Sequence, residues 1–353
     1  MSADHNEVFE RLPPLIRSAT GEGDANEPVT FYRGDFELAL ATGRLPVKGE
    51  LYFSWRPRPG VRLRGEIDRY TFDFNIERIL IPDRHLEHGA AFITYLGGSD
   101  GSLSGLVNNP VVLNWRQNAD RLTFALPNFR EVLGLPVRTE ERVYAHRILL
   151  EDANWVIHID RQPGAEMLKK QLKQEGGYAL TCAGEARSKT GLFTSDASSK
   201  LISDLGLFLT FLNGRRCFPC LIKAYERDAL SWEDYSAYHA DEYKEEYSWL
   251  PQLYAPHIST LWQDFTAMTQ KAEDRECLDL LIHWYVEANN NSGFAEGSIV
   301  FMQNAFELMY NWQIGKPPKG QKVDAAGKLR ALLIRADIDV QVPAAYRRIT
   351  ADL

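Results

Sequence analysis

The chain reads as an α+β protein in which a β-rich domain, sandwich or barrel-like, precedes an α-helical bundle. Three observations predict this. From Val29 onward, short segments rich in aromatic and β-branched residues are punctuated by Gly, Pro, Asn and Asp, the texture of strands joined by tight turns. In the last hundred residues, apolar side chains recur every three or four positions, the period of helices that bury one face. Residues 1–27, ending in SATGEGDANEP, are polar and Gly-rich and read as a flexible N-terminal arm. The organisation expected is therefore an arm over 1–27, a β-rich domain with one packed helix over 28–230, and a helical bundle over 231–353.

In chain order, the strand-like segments are VTFYRGDFELAL, GELYFSWRPRPGVRLRGEI, YTFDFNIERILI, AAFITYL, VVLNWRQ, RLTFALP, RVYAHRILL and NWVIHID. Val61, Leu63 and Gly65 alternate with Arg62 and Arg64, as half-buried antiparallel strands do. From Ser195 the period becomes helical. Ser195 is read as the N-cap, Leu201, Leu205, Phe208 and Leu212 as the buried stripe, and Asn213-Gly214 as the stop. RRCFPCLIKAYE returns to strand, and DALSWEDYSAYHADEYKEEYSWLP is read as a connector between domains. Beyond it, HISTLWQDFTAMTQ, DRECLDLLIHWYVEAN, GSIVFMQNAFELMYNW and AAGKLRALLIRADI each carry a helical apolar face, and GKPPKG breaks the third from the fourth. The third is apolar around most of its circumference, which predicts a central place in the bundle.

At 353 residues, with 44% hydrophobic and 25% charged residues, the chain has enough apolar material for a sizeable core. Its formal net charge of -8 argues against a general polyanion binder, though not against a local basic patch. The N-terminal MSADHNEVFERLPPL lacks the basic start and apolar run of a secretory signal, and no segment has the continuous apolar length of a membrane span, so a cytoplasmic protein is expected. Four cysteines are too few for a disulfide scaffold in so long a chain, and reduced thiols are expected.

Cys217-Phe218-Pro219-Cys220 has the spacing of a redox dithiol or half a zinc site, but it lies in strand-like sequence with no second ligand pair, so core packing is the expected use. Asp83, His85 and His88 concentrate metal-ligating groups within a segment that also reads as a solvated loop; no bound metal or cofactor is expected. Arg56, Arg58, Arg62 and Arg64, beside Tyr52, Phe53 and Trp55, are the candidate surface for phosphate or single-stranded nucleic acid, since cations hold a backbone and aromatics stack bases. Arginine on a wet edge hairpin is the plainer alternative. Trp55, Trp115 and Trp155 raise a third idea, a sugar-binding sandwich, against which stands the commoner use of aromatics in cores. No Gly-x-Ser-x-Gly elbow, phosphate-binding Gly loop or His-Glu-x-x-His is present.

Gly176-Gly177-Tyr178-Ala179, Leu205 to Gly214, Trp284-Tyr285 with Ala288-Asn289, and the helix through Glu307 resemble a group of uncharacterised bacterial proteins whose C-terminal helices are HEPN-like, of the ApeA type. The resemblance runs from about Gly176 to the end. It implies a small helical bundle of prokaryotic defence systems, many of whose members are metal-independent ribonucleases. Their usual pattern is an Arg with a His four to six residues beyond it on a late helix, the His moving a proton and the Arg holding phosphate charge.

That pattern is missing from the helical third. Arg275 and His283 are separated by seven residues, and no His follows His283; Arg78 and His85 have six residues between them but lie in strand and loop sequence of the β-rich region. The expectation is a sensing, binding or regulatory component of an antiphage defence system, with a protein partner or second copy held through the helical domain. The alternative is a ribonuclease whose motif lies in a longer native chain or a partner subunit, with RNA as its substrate. Trp284, Tyr285 and Trp312 are read as buried anchors, and Glu287, Asn289 and Glu307 as the polar residues available to a ligand or partner.

Overall fold

The computed structural model describes residues 10–19, 23–68, 73–87, 89–97, 100–114, 118–245, 248–250, 255–290, 295–315 and 322–341. It is β-rich first and helical afterwards, the α+β order that the two sequence periods call for. Two compact units divide it, Met1–Ala267 and Met268–Leu353. Residue 230, where the sequence reading ends its β-rich domain, falls within a strand of the first unit.

A seven-stranded sheet opens the first unit. Its long strands are β1 (Val29–Leu40), β2 (Gly43–Ser54), β3 (Gly60–Glu66), β7 (Ala91–Leu96) and β8 (Ser102–Val107). The short strands β4 (Asn75–Ile76) and β5 (Arg78–Leu80) are one length of chain, yet β4 pairs with β7 at one edge while β5 pairs with β1 at the other. Residues 75–80 thus draw the two edges together into a nearly closed barrel, which hides the strand edges that would otherwise template aggregation. Phe36, Leu38, Leu51, Phe53, Leu63 and Ile93 fill the interior, on alternate positions of their strands. Gly49 and Gly65 face each other across β2 and β3, and a Cβ on Gly49 would run into the carbonyl of Arg64. Only a residue without a side chain lets the backbones approach so closely there.

The second sheet has nine strands, β6 (Leu86–Glu87), β9 (Val112–Leu113), β10 (Arg121–Pro127), β11 (Leu135–Arg138), β12 (Val143–Glu151), β13 (Trp155–Arg161), β14 (Leu180–Ser188), β15 (Cys220–Glu226) and β16 (Ala229–Asp234). They lie in the order β11-β12-β13-β14-β10-β15-β16-β9-β6. The segment read as a connector therefore begins as strand β16, because Ser231 to Asp234 alternate across a buried sheet position beside β15. Phe31 stacks on Tyr235 at 4.0 Å and Trp55 on Tyr178 at 5.4 Å, tying barrel to second sheet. Trp55 and Trp155 are buried, as core aromatics are, which removes them as sugar platforms; Trp115 lies outside the described residues.

Between β13 and β14 runs α1 (Ala165–Glu175), and between β14 and β15 runs α2 (Ser195–Asn213). The N-cap of α2 is Thr194, one residue earlier than the sequence suggests: its hydroxyl accepts from the Ala197 amide at 3.3 Å. Gly214 ends the helix at φ 75°, where a side chain would be strained. Twelve side-chain positions of α2 are buried on all sides, so α2 is the central helix of the first unit. Its Phe208 meets Trp262 and Phe265 of α3 (Ala255–Met268) at 5.2 and 5.3 Å.

The second unit holds α4 (Ala272–Asn290), α5 (Ala295–Gln313) and α6 (Ala325–Arg335). Trp284 stacks on Phe301 at 5.5 Å, and the Trp312 indole donates to Asp274 at 2.8 Å, so α4 and α5 form an antiparallel pair. The expectation of a central α5 holds in position, since α5 packs against both α4 and α6, but little of it is enclosed: Ala305 and Tyr310 are buried, while Ile299 is 64% exposed. The low burial follows from size, since small units bury a smaller share of their surface. Trp284, Tyr285 and Trp312 are half-buried rather than fully enclosed.

The described part of residues 1–27, expected as a flexible arm, is hydrogen-bonded to the second sheet. Pro14 bridges to Arg138, the Ile16 amide donates to buried Asp160 at 2.7 Å, and Asn26 exchanges bonds with Gly176 and Tyr178.

Candidate functional site

A polar cavity of about 510 Å³ opens in the first unit, a size that suits a small-molecule ligand. Six separate pieces of chain build it. Asn128 to Glu131 follow β10, Arg161 ends β13, and α1 offers Ala165, Lys169 and Leu172 at helical spacing. Thr181 comes from β14, Asn213 and Arg215 from the end of α2, and Tyr243 to Glu245 from the extended chain after β16.

Asn128 holds these pieces in register. It sits at φ 54°, a left-handed conformation that Asn tolerates better than most residues. Its amide donates to the carbonyls of Gly177 at 3.0 Å and Asp241 at 3.1 Å, and its side-chain oxygen accepts from the Ala179 amide. Asn213, buried at the end of α2, accepts from the Arg130 amide at 3.1 Å. The rim is thereby fixed by backbone contacts before any ligand arrives.

Among the described lining residues, Arg130, Arg161, Lys169, Arg215 and Lys244 are cationic, and Glu131 and Glu245 are acidic. Arg161 is committed to Glu131 at 2.8 Å and to Glu166, whose carboxyl its hydrogen bond holds below the usual range. Glu245 is taken up by Lys173 at 3.0 Å, which lowers the one pKa and raises the other. The lining side chains carry more positive than negative charge. Tyr243 contributes a hydroxyl that is buried and has no hydrogen-bond partner among the described residues. Burial pushes this phenol up, with the nearby Glu245 adding to the effect, so it stays protonated and able to donate.

The residues singled out from the sequence lie elsewhere. Arg56 donates to the carbonyls of Glu175 and Gly176, where it caps the end of α1, and Arg58 is exposed beyond β2. Arg62 and Arg64 share the outer face of β3; Arg64 pairs with Glu50 and covers the ring of Tyr52. Glu307 accepts from Lys328 of α6 and lines a groove between α5 and α6, whereas Glu287 and Asn289 lie half-buried near the end of α4, away from that groove. Asp83 occupies a turn at φ 58°, the His85 amide donates to Asn114, and His88 lies outside the described residues. No metal-holding group of three or more His, Cys, Asp or Glu is formed among the described residues.

Cys217 and Cys220 are buried, and their thiols point at the carbonyls of Pro127 and Ala125. Burial raises both thiols far above their ordinary range, which suits packing and disfavours thiolate chemistry. No described helix is long and apolar enough to cross a membrane.

The cavity lies wholly within a stretch that comparison with known proteins picks out. Residues 114–246 match the model of the YopA central domain, and residues 271–352 match that of the YopA C-terminal domain. The chain is also 25% identical over 352 residues to YopA, an uncharacterised protein derived from the SPbeta prophage in Bacillus subtilis strain 168, with 93% of this chain and 79% of the relative aligned. No solved structure matches the chain at a significant level. Every lining residue from Asn128 to Glu245 therefore belongs to the YopA-central-like stretch, and the barrel of β1 to β5, β7 and β8 precedes it.

Proposed function

We propose that this chain is a ligand-sensing protein whose first unit recognises a small phosphorylated anion in the basic cavity. The observation that carries the reading is the lining itself: five cations against two acids, each acid already engaged by a cation, around a buried tyrosine hydroxyl with no partner among the described residues. A phosphate group offers several acceptor oxygens and negative charge, which is what such donors complement.

The HEPN-like texture of the helical unit supports placing this sensor in a phage-related conflict system, with that unit mediating association with a protein partner or a second copy. The relative's description as prophage-derived supports the same setting. A cytoplasmic location belongs to this proposal and is supported by four unpaired cysteines.

Thermal unfolding of the full chain with inorganic phosphate, pyrophosphate and nucleoside mono-, di- and triphosphates tests it. A ligand present at about a hundred times its Kd stabilises the native state by about 2.7 kcal/mol, which moves the midpoint of a unit this large by several degrees. The reading requires at least one of these compounds to do so in the native chain and to do so less in Lys169→Ala, a change on the cavity face of α1 that helices accept readily. Absence of any shift across the panel would overturn it.

A further inference from the structure

The outer wall of the barrel carries a second surface, unrelated to the cavity. Cross-strand pairing places Phe92 of β7, Leu106 of β8, Arg62 of β3 and Tyr52 of β2 side by side in one row, each on the face opposite the apolar interior. In the next row Tyr95 of β7 stands beside Ser104 of β8, Arg64 of β3 and Glu50 of β2. Phe92 is 47% and Tyr95 57% exposed, an unusual use of two aromatic rings on neighbouring strand positions.

Across these two rows the charge is positive in spite of the acidic chain, while the row beyond, of Asp35, Lys48 and Glu66, is net negative by one. Glu50 accepts from both Arg33 and Arg64 and is buried beneath them, so that trio retains one positive charge. Arg62, between Tyr52 and Leu106, makes no hydrogen bond or ion pair among the described residues, and its Nε is buried without an acceptor. A cation with no counter-charge, in a row with exposed Phe92 and Leu106 and half-buried Tyr52, calls for an occupant with both negative charge and flat apolar faces.

We infer that this wall binds single-stranded nucleic acid, with Phe92 and Tyr95 stacking unpaired bases and Arg62 holding a backbone phosphate. Strands spaced by roughly 4.8 Å put Phe92 and Tyr52 about 14 Å apart, a reach of a few nucleotides. Stacking and phosphate contacts are indifferent to sequence and to the 2′-hydroxyl, so RNA and DNA strands are bound alike. A duplex keeps its bases paired and stacked inside, where these rings cannot reach them. Arg56, which caps α1, takes no part.

The test is fluorescence anisotropy of the full chain with labelled oligo(dT) and oligo(U) of about twelve nucleotides, and with a duplex of equal length. The expected result is binding of both single strands that weakens from about 50 to 200 mM salt and exceeds duplex binding. Phe92→Ala is expected to weaken it by about fivefold or more, while Phe92→Trp retains it. Arg62→Ala is expected to lower the salt dependence by about 0.7 in log–log slope. Lys169→Ala, at the cavity, is expected to leave it unchanged, which separates this surface from the phosphate-sensing proposal. Absence of salt-sensitive binding, equal binding of duplex, or wild-type affinity in both Phe92→Ala and Arg62→Ala would overturn the inference.

Discussion

Asp160→Asn probes how the segment of Pro14 and Ile16 is held. Asp160 has no exposed surface, and its two oxygens accept from Arg147 Nε at 2.7 Å, Arg147 Nη2 at 2.6 Å and the Ile16 amide at 2.7 Å. Arg147 is itself buried and donates onward to the Pro14 carbonyl at 2.8 Å. Asparagine keeps the shape but offers one acceptor oxygen where the carboxylate offers two, and its amide is turned toward a group that only donates. A buried guanidinium loses its counter-charge. Breaking a buried pair from one side costs about 3–5 kcal/mol. With a urea dependence of about 3 kcal/mol/M, the midpoint of unfolding falls by more than about 1 M. Circular dichroism and tryptophan fluorescence in urea measure this, and amide exchange at Ile16 reports whether the N-terminal segment is released. A loss under about 1 kcal/mol, with Ile16 still protected, would refute the reasoning. Replacing both partners together by apolar residues, Arg147→Met with Asp160→Leu, is expected to recover much of the loss, since an apolar pair leaves no buried charge behind.

Phe208→Ala is expected to cost about 3–5 kcal/mol in equilibrium unfolding, because it empties the contact with Trp262 and Phe265, whereas Ile299→Ala, on the exposed side of α5, stays within about 0.5 kcal/mol. For Glu50, desolvation raises the carboxyl, but hydrogen bonds from Arg33 and Arg64 outweigh it and hold the pKa below the usual range. Its contribution to stability is therefore present above the unfolded value of about 4.3 and is lost as the pH falls through the lower folded value. Denaturation across acidic pH is expected to show a shallower fall in Glu50→Gln than in the parent chain. Among the thiols, burial pushes Cys182 up to about 12 and Cys217 and Cys220 further, while Cys277 is half-buried. Titration with an aromatic disulfide reagent near neutral pH is expected to find Cys277 reacting first and the other three only in denaturant.

The β-rich texture was legible because the barrel strands obey a strict period of two, as in Val61, Leu63 and Gly65 against Arg62 and Arg64. Helix α2 was legible for the opposite reason, a clean apolar period closed by Asn213-Gly214. Helix α1 is not legible in the sequence: AEMLKKQLKQE buries only Ala165 and Leu172, too few apolar positions to stand out from a polar loop. That α2 is enclosed and α5 is not depends on what packs around each, and an apolar circumference records only the capacity for burial. Ser231, Glu233 and Asp234 look like a polar connector, yet they are buried with partners both distant, the Asn118 carbonyl for Ser231 and Arg84 for Glu233, and local, Tyr235 for Glu233 and Tyr238 for Asp234. The cavity was illegible for a related reason. Arg130, Arg161, Lys169, Arg215 and Lys244 come from five separated segments, and no local spacing announces their convergence. The clustered Arg56, Arg58, Arg62 and Arg64 attracted attention by proximity in sequence, but strand alternation and the cap on α1 divide them, leaving Arg62 and Arg64 on one wall.

The most direct measurement of the central claim is a calorimetric titration of nucleoside phosphates into the native chain and into Tyr243→Phe. That change removes one hydroxyl and nothing else from the cavity. If the cavity holds a phosphorylated anion, a compound of this class binds the native chain, and the loss of a hydrogen bond to a charged group weakens it by about tenfold or more. Equal affinity in the two proteins, or no heat with any phosphate compound, would contradict the account.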